Sequence, residues 1–143
     1  MISTDLAGAL RDAGLRWKPA SGDRFVIPQP ALADQVFTLS EMTIETHEFP
    51  TGTVLGFNGT TEWALDSVDK SDTVWLPRED QLRELLGGTF ASLEVRPGPD
   101  GDTYVVTPRG PEPGVFEAES AADAYGLALL ALVTRAVADV QPG

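Results

Sequence analysis

The sequence predicts an α+β domain in which an antiparallel sheet of five or six strands packs on a buried C-terminal helix, with further helices at the N-terminus and in the middle. Three observations carry that reading. Between Gln35 and Phe57, the β-prone runs QVFTL, MTIETHEF and TVLGF are separated by short polar or Pro-Thr-Gly breaks, the pattern of an antiparallel meander. FASLEV and TYVVTP flank RPGPDGD, whose Asp100-Gly101 step signals a hairpin. From Ala124 to Thr134 no residue is charged, so a helix there must be covered on nearly every side rather than along one stripe.

The elements follow in order. Residues 3–14 read as a helix capped by Ser3 or Thr4, with Leu6 and Leu10 on one face and Gly14 as the stop. After a Pro/Gly/Ser-containing loop, Phe25-Val26-Ile27 is a short strand ended by Pro28 and Pro30. Asn58-Gly59 is a turn, and Thr60 or Thr61 can cap a short helix through Trp63, Ala64 and Leu65. Thr73 to Leu76 is extended and leads into PREDQLRELLG. With Pro77 at the first helical position, Glu79 and Asp80 fall in the first turn, where negative charge complements the helix dipole. Leu82, Leu85 and Leu86 then form the buried face, and Gly87 ends the helix. Pro108 to Gly114 is a connector, the best candidate for a mobile loop. The last helix starts at Ser120, where Ser-Ala-Ala-Asp has the spacing of a capping box.

A chain of 143 residues suits a single domain spanning residues 1–143, and a domain of about that length buries roughly 68–70% of the surface of its unfolded chain. There are 22 acidic and 10 basic residues, a formal charge of −12, with no Lys/Arg cluster to displace counterions from a phosphate backbone. Nucleic acid and anionic membrane are therefore excluded as expected partners. The absence of cysteine removes disulfides, thiolate nucleophiles and zinc-thiolate sites. The N-terminus has no basic region followed by an apolar core, and the longest apolar stretch is too short for a membrane span, so a cytoplasmic location is expected.

No catalytic constellation emerges. His47, the only histidine, sits in a strand run without a Gly-x-Ser-x-Gly elbow. Asp66, Asp69 and Asp72 are spaced by three and lack the glycine and distal glutamate of a calcium loop. RPGPDGD joins two strands and lacks the Gly-Lys-Ser/Thr ending of a phosphate cradle. No metal and no cofactor is expected.

The segments FNGTTEWALDS and WLPREDQLRELLG, together with MISTDLAGALRDAGLRW at the front, resemble a family of small actinobacterial proteins over roughly residues 1–136. Some members carry a pilus-assembly name. The resemblance implies no catalytic residue, and the chain has neither an assembly-ATPase nucleotide motif nor a pilin-like apolar N-terminus.

The expectation is a non-enzymatic protein-binding or adaptor domain. Its candidate surface combines the Asn58, Thr60, Thr61, Glu62 turn with Trp63, Trp75, Arg78 and Asp80, because aromatics and arginine carry much interface energy. The partner is an unidentified protein or a second copy of the chain. The alternative is a small-ligand binder or enzyme with a polar cleft near the 58–62 turn and the 77–80 helix start.

Overall fold

The computed structural model describes residues 1–39, 44–49, 52–57, 67–110 and 114–140. In chain order they form α1 (Thr4–Ala13), β1 (Arg24–Val26), β2 (Phe37–Thr38), β3 (Ile44–Phe49), β4 (Gly52–Phe57), β5 (Ser67–Asp69) and β6 (Val74–Leu76). Then follow α2 (Glu79–Leu86), β7 (Phe90–Gly98), β8 (Gly101–Pro108), β9 (Phe116–Ala118) and α3 (Ala121–Val140). The class is α+β. Two compact units are formed, one from Met1–Arg16 with Pro77–Gly143 and one from Trp17–Leu76.

The described residues do not join into the expected single sheet of five or six strands. Among the described residues there are three antiparallel three-stranded sheets, β2-β1-β6, β3-β4-β5 and β7-β8-β9. Strand length gives the physical reason. β1, β5 and β6 have three residues and β2 two, and Pro28 and Pro77 withhold amide donors where β1 and β6 would lengthen. The QVFTL run accordingly leaves the meander, and its Phe37 pairs with Phe25 of β1.

In the 17–76 unit that pairing builds an aromatic core. Trp17, Phe25, Ile27, Phe37 and Leu39 are buried together, with Leu32 and Trp75 packed against them. Phe25 stacks on Phe37 at 5.4 Å between ring centroids, and Trp17 stacks on Trp75 at 6.4 Å. Asp23 is buried at 2% exposure, an expensive position for a carboxylate unless its oxygens are satisfied. They are: Asp23 Oδ2 accepts from Trp17 Nε1 at 2.9 Å and from the Ala20 amide at 3.0 Å. The Asp23 carbonyl also accepts from the Leu39 amide at 2.7 Å. Lys70 donates through Nζ to the Trp17 carbonyl at 2.9 Å. In the other sheet of this unit, β4 lies between β3 and β5, with Thr46 opposite Leu55 and Leu55 opposite Val68.

In the other unit α3 packs against α1, α2, β8 and β9. Its first half meets the sequence expectation: Ala121, Ala122, Ala124, Tyr125, Ala128 and Leu129 are buried. The second half does not, since residues 130–133 are half-buried and 134–137 exposed. Gly126 explains how close α1 comes. A Cβ there would lie 2.7 Å from Leu6 Cδ2 and 3.1 Å from Ile2 Cδ1, so any larger residue would have to displace the tips of these side chains.

The ends of α1 are as the sequence predicts: Ser3 Oγ accepts from the Leu6 amide at 3.3 Å, and Gly14 closes the helix at φ 115°. At α3, Ser120 Oγ accepts from the Asp123 amide at 3.1 Å. Asp123 does not complete the reciprocal half of a capping box. Its Oδ1 instead accepts from the Ser3 amide at 2.8 Å, tying the starts of α1 and α3 together. Asp123→Ala is expected to cost about 1 kcal/mol, and Asp123→Asn, which keeps an acceptor, less. Urea unfolding of both variants checks this; equal losses would assign the effect to charge at the helix start.

α2 begins two residues later than expected. Arg78 is its N-cap, Pro77 precedes it, and the first turn still carries Glu79 and Asp80. Arginine has no acceptor atom, so the cap is made from the other side, with Gln81 Oε1 accepting from the Arg78 amide at 2.9 Å. Leu82 and Leu86 are buried, whereas Leu85 is 42% exposed, correcting the three-leucine face. Arg83 lies with its guanidinium 4.5 Å over the Phe90 ring. The hairpin turns one residue earlier than expected: Gly98 faces Gly101, leaving Pro99-Asp100 as the turn. β9, three residues opposite Tyr104–Val106, has no counterpart in the sequence reading.

Candidate functional site

Five of the eight candidate surface residues, Asn58, Thr60, Thr61, Glu62 and Trp63, lie outside the described residues, as does the short helix expected after them. Trp75 is in β6, half-buried and stacked on Trp17 within the aromatic core. Its indole nitrogen is buried and has no hydrogen-bond partner among the described residues. Arg78 and Asp80 are brought together, Nε to Oδ1 at 3.2 Å, and both side chains are exposed. That pair sits on the first turn of α2 in the other unit, where an exposed ion pair contributes little. Trp75 is thus engaged in the core of one unit, and Arg78 with Asp80 in a helix start of the other.

A different feature comes into view within the unit formed by residues 1–16 and 77–143. A groove of about 130 Å³ opens along the second half of α3. Its floor is the helix face carrying Ala128, Ala131, Leu132 and Arg135, at spacings of three, four and seven residues. Leu86 and Thr89 at the end of α2 form one wall. The other wall is made by Pro108 to Gly110 leaving β8 and by Gly114 and Phe116 approaching β9.

The side chains are largely apolar, with guanidinium groups from Arg109 and Arg135 as the charged components. Arg109 is held in place by backbone: its amide donates to the Thr89 carbonyl at 2.7 Å and its Nε to the Phe90 carbonyl at 3.0 Å. Thr89 Oγ1 in turn donates to the Leu86 carbonyl at 2.6 Å. These bonds fix the α2 end, the start of β7 and the end of β8 as one wall.

Comparison with protein-family models, curated proteins and solved structures gives no match.

The groove chemistry is recognition by shape and charge. Among its described lining residues there is no carboxylate, histidine or serine, so the groove offers apolar surface, one threonine hydroxyl and the guanidinium of Arg109, with Arg135 at its far end. No helix among the described residues is long and apolar enough to cross a membrane.

The sequence did carry a signal for the groove. A charge-free stretch predicts a rod covered all round, but Ala128 and Ala131 are too small to fill the space between neighbouring elements. Ala128 and Ala131, three apart and facing Pro108, Gly110 and Gly114, leave a depression.

Proposed function

We propose that the chain is a non-catalytic, cytoplasmic protein-binding domain that seats one apolar side chain of a partner in the α3 groove, beside a carboxylate of that partner drawn to the Arg109 guanidinium. The observation that supports this most is size. A dry apolar cavity near 150 Å³ accommodates a single benzene, whereas cofactor and substrate sites run to roughly 300–1,000 Å³. At about 130 Å³ the groove suits one Leu- or Phe-sized anchor.

Burying such an anchor contributes roughly 1.5–3 kcal/mol, so one anchor and one ion pair give weak, reversible capture. The charge of −12 narrows the partner further. At low ionic strength its long-range field disfavours acidic ligands and nucleic acid, so the peptide segment that suits the groove best is neutral or basic overall with a single carboxylate next to its anchor.

The test uses a capped peptide of net charge +1, acetyl-Lys-Phe-Glu-Lys-amide, titrated into the isotope-labelled full chain while backbone amide shifts are followed by NMR. Saturable shifts are expected at Thr89, Gly110 and Ala131. The same peptide with Ala for Phe should produce none, and Ala131→Leu, which fills the groove, should abolish the response while preserving spectral dispersion. Absence of shifts at millimolar peptide, or equal shifts with the Ala control, would overturn the reading.

A further inference from the structure

We propose that the outer edge of β7 pairs with the same strand of a second copy, producing a two-fold symmetric dimer. The argument is independent of the groove. β7 is nine residues long and lies at one edge of the β7-β8-β9 sheet. Residues 94–98 are exposed, including Val95 at 50%, an apolar β-branched residue in open solvent.

The hairpin turn decides which backbone groups are available. With a two-residue turn, Gly98 and Gly101 form a hydrogen-bonded pair. Arg96 and Glu94 therefore bond inward to Thr103 and Val105 of β8, while Leu93 and Val95 direct their N–H and C=O groups outward. Pro97 also falls on the outward side, where its missing amide costs the hairpin nothing.

The side chains then select the register. A two-fold axis at Glu94 or Arg96 sets like charges directly opposite each other, which is unfavourable. An axis at Leu93 puts Glu94 against Ser92 of the second copy, which adds no charge pair to the exposed one Glu94 makes with Arg96 of its own chain at 3.6 Å. Centring on Val95 sets Val95 against Val95 and Glu94 against Arg96 in both directions, with the charges on one face of the sheet and the valines on the other. This arrangement closes about four outward main-chain hydrogen bonds. Two three-stranded sheets thereby merge into one.

The ladder cannot run on. Pro97 offers no donor at one end, and the register shift between Phe90 and Ser92 interrupts pairing at the other. β9, the opposite edge, has only three residues. The contact is isologous and closes at two copies.

Sedimentation equilibrium of the full chain at about 0.15 M salt, where the Debye length is about 8 Å, tests this over roughly 10 µM to 1 mM protein. Wild type is expected to show a monomer–dimer equilibrium. Glu94→Arg and Arg96→Glu should each weaken it at least about tenfold, and the double reversal should return it to within about threefold of wild type. Val95→Pro removes an outward amide without touching the β8 ladder and should leave monomer only. Far-UV circular dichroism confirms that each variant folds. Monomer at every wild-type concentration, or a double reversal no stronger than the singles, overturns the proposal. The peptide response of the groove is expected to survive in all of these variants, so the two readings fail separately.

Discussion

Replacing Asp23 with alanine is expected to destabilise the 17–76 unit by about 2–4 kcal/mol. Two donors, Trp17 Nε1 and the Ala20 amide, converge on Asp23 Oδ2, and hydrogen bonds to a charged acceptor are worth roughly 1.5–3 kcal/mol each. Removing the carboxylate leaves both donors in a site where Asp23 itself is 2% exposed, so little water replaces the lost acceptor. The indole of Trp17 stacks on Trp75 and lies against Phe25, so its release loosens the aromatic core as well as the loop. Asp23→Asn keeps an oxygen that can be turned toward Trp17 and should recover part of the loss. Urea unfolding followed by tryptophan fluorescence reads the effect directly. An unchanged midpoint for Asp23→Ala would show that the buried carboxylate is not what holds Trp17.

The second large effect is expected at Gly126, in the other unit. Gly126→Leu must push a branched side chain into space already held by Leu6 and Ile2, where even a bare Cβ would stand 2.7 Å from Leu6 Cδ2. Overpacking of this kind costs about 1–3 kcal/mol. Gly126→Ala should be milder, because about 1 kcal/mol of helix propensity offsets the clash and the leucine tip can swing aside. Leu6→Ala in the Gly126→Leu background opens matching volume and is expected to recover part of the loss, giving a coupling readable from a double-mutant cycle. If the four chains unfold at midpoints that simply add, the helices do not meet at this point.

What could be seen in the letters and what could not separates along physical lines. Helix starts and stops were legible because they depend on neighbours in sequence: Ser3, Ser120 and Gly14 serve as expected. The β7–β8 hairpin was legible for the same reason, with only its turn displaced by one residue. α2 was misplaced by two residues because proline tolerates both the first helical position and the one before the cap, and only the Gln81 bond to the Arg78 amide distinguishes them. Sheet membership was not legible. The pairing of Phe37 with Phe25 rather than with the following run depends on contacts formed elsewhere, and short strands carry little periodicity to announce them. The candidate surface mixed residues whose polarity is used at a helix start, Arg78 and Asp80, with an aromatic drawn into a core, Trp75. The α3 groove went unread because it arises from what alanines fail to fill, and a sequence displays side chains rather than the gaps between them.

The tie between Ser3 and Asp123 also sets an order of events during synthesis. At a translation rate of about 5–20 residues per second, the 120 residues separating these partners take on the order of ten seconds to emerge. Throughout that interval α1, with Ala7 and Leu10 on its apolar side and Ile2 just ahead of it, has no α3 to lie against. Residues 17–76 carry their own core and can collapse while the nascent chain is still growing. The unit that holds α1 is therefore completed only after the chain of the other unit has been made.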